Sequence, residues 1–432
     1  MNLMTFIILI LFLIAFISII NEKFFHMQND IALLFFSLII SLVLISAGFF
    51  SSSEVLKEKI RNIGNFGFES YLMDFVLCFM LFAGASKVNM KKFRQNIKAI
   101  SLLALLATIV SSAVYGFLFR LSAFLIGINM DIWTCILLGC IVSPTDPIAA
   151  TGILNKLGLS KNVTSVIENE SLFNDGTGVA LFVFVKSIVS QNGESNFILL
   201  MLKEVLGAFG VAIAVSFILF RLLTLSGNPL NHLLISFIDV SLVYMICEHS
   251  GFSGVIASVV CGMYFSAKMD SIKRRRIVED PHNLYIIFWE VADNIFNSVL
   301  FVMIGISVLD FTPEKKFLLL IPSGILCVIL SRFAGTGISA LLVGKKRIPS
   351  SYSTAEFVTL MTWSALKGGL SLALAMSTAE FLAEETYLTV MNVTYITIFF
   401  TVIVQGLTIK SGYSMIEKHK ARRIRAESEN AR

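Results

Sequence analysis

The run Ser143-Pro144-Thr145-Asp146-Pro147-Ile148-Ala149 sets a carboxylate between two prolines in a stretch long and apolar enough to cross a membrane. Taking a carboxylate out of water into a bilayer costs about 2.5–3.5 kcal/mol on insertion scales, so an acid at that depth is expected to have a chemical task. The prolines break the helical hydrogen-bond ladder and free backbone carbonyls, which is tolerated at that depth only where the backbone lines a cavity or is buried in protein. Such a site suits something small and charged.

A second polar segment is Glu168-Asn169-Glu170-Ser171-Leu172-Phe173-Asn174-Asp175-Gly176-Thr177-Gly178. On a helix, Glu168, Ser171 and Asp175 share one face, and Glu170 and Asn174 share the adjacent one. One face can then meet an ion while the next meets a structural partner. For Glu168, helix capping or a satisfied polar contact is the alternative to a functional role; Asp175, in mid-span, reads as functional. A third segment, Trp363-Ser364-Ala365-Leu366-Lys367-Gly368-Gly369-Leu370-Ser371, places a cation in a helix weakened by two glycines. Unwound backbone there and the C-terminal end of a half-helix attract cations.

The elements that must position these residues are transmembrane helices. The chain is 56% hydrophobic and only 15% charged, against a charged share of about 25% in soluble domains. Hydropathy, at about 20 apolar residues per span, divides it into about thirteen helices: 4–20, 31–50, 70–86, 99–119, 132–155, 163–190, 204–220, 230–247, 251–266, 283–308, 317–343, 356–379 and 389–409. The expected fold is an all-α polytopic membrane protein. Its fifth and twelfth helices are both interrupted and lie seven spans apart, the pattern of two inverted six-helix repeats with broken helices crossing at the midplane. The repeats would cover about 1–190 and 230–410, joined by a linker helix at 204–220, and spacing alone supports them. One membrane domain, 1–410, accounts for the chain, followed by a short basic tail, 411–432.

Cys78, Cys135, Cys140, Cys247, Cys261 and Cys327 fall in or at the ends of spans with no CxxC pair, so they read as small buried side chains. Residues 3–20 lack a preceding positive region and a small-residue cleavage site, and read as a retained first span. With the C-terminal tail on the cytoplasmic side and the N-terminus outside, 24 Lys and Arg fall on the inner side, seven on the outer and three within spans, the bias that sets membrane orientation. The net charge of +5 then reflects topology and contact with anionic lipid, and nucleic acid is not an expected partner. The expected location is a prokaryotic inner membrane.

Taken together, these motifs resemble the monovalent cation/proton antiporters of the NhaP and sodium/proton-exchanger branch. The resemblance covers nearly the full length. Its carriers are Thr145-Asp146-Pro147, Glu170-Ser171-Leu172-Phe173-Asn174-Asp175, Ser253-Gly254-Val255-Ile256-Ala257 after Glu248, Phe288-Trp289-Glu290 with Asn297-Ser298 and Gly305, Ser331-Arg332, and Leu366-Lys367-Gly368-Gly369. The resemblance implies a transporter and no enzyme. It makes Asp175 the ion-binding and proton-carrying carboxylate, with Asp146, Ser171 and Thr145 supplying further oxygens to a transported Na+, a hard cation suited to them. It further implies that Glu170 pairs with Arg332, that Asn174 ties the sixth span to the broken fifth, and that the protein is a homodimer working by alternating access without a cofactor. Asp74, in a loosely matching segment, is a weaker candidate ligand. Lys367 stands where the family usually carries arginine, losing a bidentate fork but keeping a charge.

The implied mechanism is competition for one carboxylate. Burial and a neighbouring cation act in opposite senses on such an acid, and their balance sets when a proton and a cation displace each other. Asn174 stands where electrogenic relatives carry a second acid, so one cation exchanges for one proton electroneutrally. Potassium or lithium in place of sodium is the nearest alternative. A cation channel would need a repeated carbonyl filter or acidic rings, and an intramembrane aspartyl protease would need a Gly-x-Gly-Asp signature; neither is found in the sequence. Lys186 reads as snorkelling to the interface, Glu248 as a member of a buried network, and Asp239 carries no assignment.

Overall fold

A computed structural model describes residues 3–50, 76–146, 148–190, 197–273, 281–310, 319–344 and 352–430. Asp74 lies outside the described residues. Within them the protein is helical: α1 Leu3–Ile20, α2 Asn29–Phe50, α3 Leu77–Ser86, α4 Met90–Ser101, α5 Ala107–Ile126, α6 Ile132–Val142, α7 Ile148–Lys156, α8 Lys161–Val189, α9 Phe197–Thr224, α10 Pro229–His249, α11 Gly254–Lys273, α12 Pro281–Ser307, α13 Leu320–Val343, α14 Thr354–Trp363, α15 Gly369–Met376, α16 Glu384–Phe399 and α17 Gly406–Asn430. A bilayer leaves no water to satisfy backbone groups, so helices that close their own hydrogen bonds are the available solution. Among the described residues nine helical stretches are long and apolar enough to span, and Ile132–Val142 and Gly254–Met269 are shorter apolar helices. Large apolar side chains point outward, including Met4, Ile8, Phe12 and Ile19 on α1 and Phe124 and Leu125 on α5.

Two interruptions fall inside expected spans. The fifth span is α6 and α7, separated at Ser143 to Pro147; the twelfth is α14 and α15, separated at Ser364 to Gly368. Two other spans extend beyond the hydropathy boundaries. The fourth starts at Met90, through α4 and a π-helical turn at Leu102–Leu106, and the last continues through a π-helical segment at Phe400–Gln405 into α17. The extensions carry Lys91, Lys98, Lys410, Lys418 and Arg423, and a hydropathy window stops at charges although an amphipathic helix does not.

The chain divides into two compact units. The first comprises Met1–Gly67, Asn96–Gly178 and Ser298–Arg432. Its helices approach closely through small residues, the usual device where lipid gives no hydrophobic drive to association. Gly116 lies against Ile136, Gly139 against the Ser112 carbonyl, and Gly335 against Ser111 and the Ala107 carbonyl. These contacts draw α5, α6 and α13 together.

The second unit comprises Phe68–Gln95 and Val179–Asn297. Its core is aromatic: Phe79, Phe82 and Phe237 surround the fully buried Trp289, whose Nε1 donates to Ser236 Oγ at 3.1 Å. Lys87 Nζ pairs with Asp293 Oδ2 at 2.6 Å. Asn297 Nδ2 donates to the other oxygen at 3.2 Å. All six cysteines are buried.

Candidate functional site

The first interruption begins where α6 runs into Pro144, which has no N–H to continue the ladder. The next two backbone donors are both engaged. Thr145 N–H donates to Asn174 Oδ1 (3.1 Å), and Asp146 N–H donates to the carbonyl of Leu366 (2.8 Å). The second bond is an isolated antiparallel bridge between the two interruptions. The broken helices therefore meet backbone to backbone.

Each break also presents a charge to the other's exposed helix end. Lys367 Nζ donates to the carbonyls of Ser143 (3.1 Å) and Pro144 (3.2 Å), at the C-terminal end of α6. Asp146 lies against Gly368, the residue before α15: a methyl built on Gly368 would sit 3.0 Å from Asp146 Cβ and 3.1 Å from Oδ2. Helix C-termini favour cations and N-termini anions, by about 0.3–1 kcal/mol each at exposed sites and up to about 2 when partly buried. Lys367 is 2% exposed, so its charge is tolerable only with these oxygens around it.

Helix α8 passes beside the first break. Gly178 makes the approach possible, since a Cβ there would strike the Pro144 ring. Ser171 Oγ donates to the Thr145 carbonyl and lies 3.0 Å from Thr145 Oγ1. Asn174 Nδ2 donates to Thr145 Oγ1 (2.7 Å) and to Glu170 Oε1 (3.0 Å). Asn174 thus satisfies Thr145 at two atoms and orients Glu170 with a third. Arg332 on α13 places NH2 3.0 Å from both Glu170 oxygens, with Glu170 1% and Arg332 4% exposed. Arg332 Nε and NH1 have no hydrogen-bond partner among the described residues.

Asp175 is half-buried, with Asp146, Glu170 and Lys367 as its electrostatic neighbours. Its carboxyl makes no hydrogen bond within the described residues. The cluster therefore brings Thr145, Asp146, Glu170, Ser171, Asn174, Asp175, Arg332 and Lys367 together around one pair of breaks. Carboxylate, hydroxyl and carbonyl oxygens are the donor set for a hard monovalent cation, and an unengaged carboxyl is also a proton acceptor.

Several participants carried no sequence signal strong enough to single them out. Ser112 Oγ donates to Ser143 Oγ (2.9 Å), and Thr401 Oγ1 accepts from Lys367 N–H (3.1 Å). A hydroxyl in an apolar span was the signal available, and it is shared by many serines that only bond their own helix, such as Ser37 to Leu33. Other acids lie elsewhere. Glu168 is exposed on α8. Glu248 accepts from Gly254 N–H (2.9 Å) and so caps α11. Asp239 is buried in the second unit, accepting from Ser216 Oγ and Cys261 Sγ, both at 2.8 Å.

Comparison with known proteins adds an independent line. Residues 55–411 match the family model for the transmembrane sodium/hydrogen exchangers. The chain is 29% identical over 406 residues to the Na(+)/H(+) antiporter NhaP of Pseudomonas aeruginosa, covering 91% of this chain and 92% of that one. It is 28% identical over 326 residues to the antiporter NhaH of Halobacillus aidingensis, covering 72% and 75%. Among solved structures, the sodium proton antiporter MjNhaP1 from Methanocaldococcus jannaschii at pH 8 superposes with a TM-score of 0.73 over 96% of this chain and 98% of that one, at 18% identity, showing a shared fold.

Proposed function

Because the chain belongs to the sodium/hydrogen exchanger family, we propose that it exchanges one sodium ion for one proton, electroneutrally, at the carboxyl of Asp175. The observation that carries this reading is the pair of helix breaks joined at Asp146 and Leu366, with the Asp175 carboxyl, which makes no hydrogen bond among the described residues, in the same cluster. Asp146, Ser171 and Thr145 supply the other oxygens. The Thr145 carbonyl and the Ser171 hydroxyl are hydrogen-bonded to each other, so a bound cation replaces that bond with two oxygen ligands. A proton on Asp175 removes the charge that holds the cation, and the two compete.

The other groups support the site. Asn174, a neutral amide spent on Thr145 and Glu170, carries no proton, which leaves a single titrating ligand beside it on α8. Glu170 and Arg332 neutralise each other, and Lys367 closes the end of α6. No resident cofactor is required. The protein works as a homodimer in the plasma membrane, its N-terminus outside and its C-terminus cytoplasmic, with alternating access to the site. The excess of Lys and Arg on one side supports that orientation.

The test is dequenching of a pH-gradient dye in acidified proteoliposomes on adding sodium, potassium or lithium, with Asp175→Asn as control. Sodium is expected to collapse the gradient only when Asp175 is present. Collapse by potassium or lithium alone reassigns the ion, and no response to any cation between about pH 5 and 9, with protein shown to be folded, overturns the reading.

A further inference from the structure

The second broken helix is held from outside the ion site by the last helix of the chain. That helix, continuous from Glu384 to Asn430, touches α14 and its break at four levels. Thr401 receives the N–H of Lys367. Thr408 Oγ1 receives the indole N–H of Trp363 at 3.3 Å, and Gly412 admits the same ring, a methyl there lying 3.2 Å from its Cδ1. Glu417 accepts the Tyr352 hydroxyl at 2.6 Å, while Lys420 Nζ bonds Glu417 and sits 4.2 Å from the Tyr352 ring centroid. The fourth level is ionic.

At the start of α14, Ser353 and Glu356 form a capping box: Ser353 Oγ accepts from Glu356 N–H, and Glu356 Oε2 accepts from Ser353 N–H at 2.7 Å. A cap needs only that one carboxylate oxygen. Yet Glu356, with a side chain 4% exposed, also takes both Nε (3.2 Å) and NH2 (3.1 Å) of Arg423 and faces His419 Nδ1 at 2.9 Å. The bidentate fork fixes geometry as well as charge. Helix α14 has only ten residues, about 15 Å of rigid rod, and Lys367 lies four residues beyond its end. A rod that short passes a displacement at Glu356 on to Lys367.

Resting on the reading that Lys367 supports the ion site, we propose that Glu356 is a positioning residue for exchange: through Arg423 and His419 it binds α14 to the C-terminal helix and so sets where Lys367 meets the Ser143 and Pro144 carbonyls. The charged groups that face Glu356 are His419 and Arg423 of α17, and those around Lys367 are Asp175, Glu170 and Arg332, with Asp146 across the bridge. Shifting Lys367 among those groups alters the balance between cation and proton. Cation affinity and pH profile then change, in addition to the amount of folded protein.

The experiment measures sodium-driven proton flux in proteoliposomes across sodium concentration and pH for the full-length wild type, E356Q, R423Q and the charge-exchanged double variant E356R/R423E, with Asp175→Asn alongside. E356Q and R423Q are each expected to change the half-saturating sodium concentration by about threefold or more and to displace the pH profile. The double variant is expected to move both back toward wild type. Unchanged half-saturation and pH profile in E356Q and R423Q, whatever the yield, overturns the proposal. Should E356Q not fold, R423Q, which leaves the capping box whole, decides alone. Sodium-driven flux persisting in Asp175→Asn removes the underlying reading and this inference with it; its loss there, with unchanged profiles in the other variants, removes the inference only.

Discussion

At the scale of single residues, the proposed site separates groups assigned to the ion from groups that hold them. Asp175→Asn keeps size and polarity but cannot bind and release a proton, so cation-driven flux should fall to the level of empty liposomes while the melting temperature stays near wild type. Glu170→Gln behaves oppositely. It leaves the Arg332 charge buried without its counter-charge, a loss of about 3–5 kcal/mol, and should show as poor recovery of monodisperse protein in size-exclusion chromatography. A protein recovered at wild-type yield and stability would show that the pair contributes little. The residues that carry charge were legible in the sequence because a charge in an apolar span stands out. What the sequence withheld was the partner of Lys367: it meets the two carbonyls of Ser143 and Pro144, and backbone oxygens leave no mark in a residue string.

At the scale of elements, the two interruptions were readable because proline at 144 and glycines at 368 and 369 disrupt a helix by known chemistry. The extensions at Met90 and beyond Lys410 were not, since amphipathic helices outside the apolar band look like loops to a hydropathy window. The close approach of α8 to the first break is likewise a packing fact, resting on Gly178 over Pro144. Gly178→Val should force the two apart and detach Ser171 and Asn174 from Thr145. Flux per folded molecule should then drop at least about tenfold, equivalent to about 1.4 kcal/mol in the barrier, measured in the dye assay after normalising for reconstituted protein. A flux equal to wild type would mean the approach is incidental.

At the scale of the whole molecule, the proposed one-for-one stoichiometry has a direct electrical signature. One charge moving across 100 mV is worth about 2.3 kcal/mol, so an exchanger with net charge movement would be strongly driven by a potassium-valinomycin potential. Here the initial rate should not respond to that potential. The cysteines give a second global readout: with all six buried, a membrane-impermeant maleimide should leave the folded protein unmodified, and labelling should appear only on unfolding in detergent. Last, the first break reads as a filter for the sign of charge, made by removing hydrogens. Pro144 and Pro147 have no N–H, Thr145 and Asp146 have already given theirs away, and the Asp146 carboxylate lies against the residue that precedes α15. Between Pro144 and Pro147 an anion would find oxygens and no free peptide hydrogen, so replacing chloride by gluconate should leave sodium-driven exchange untouched.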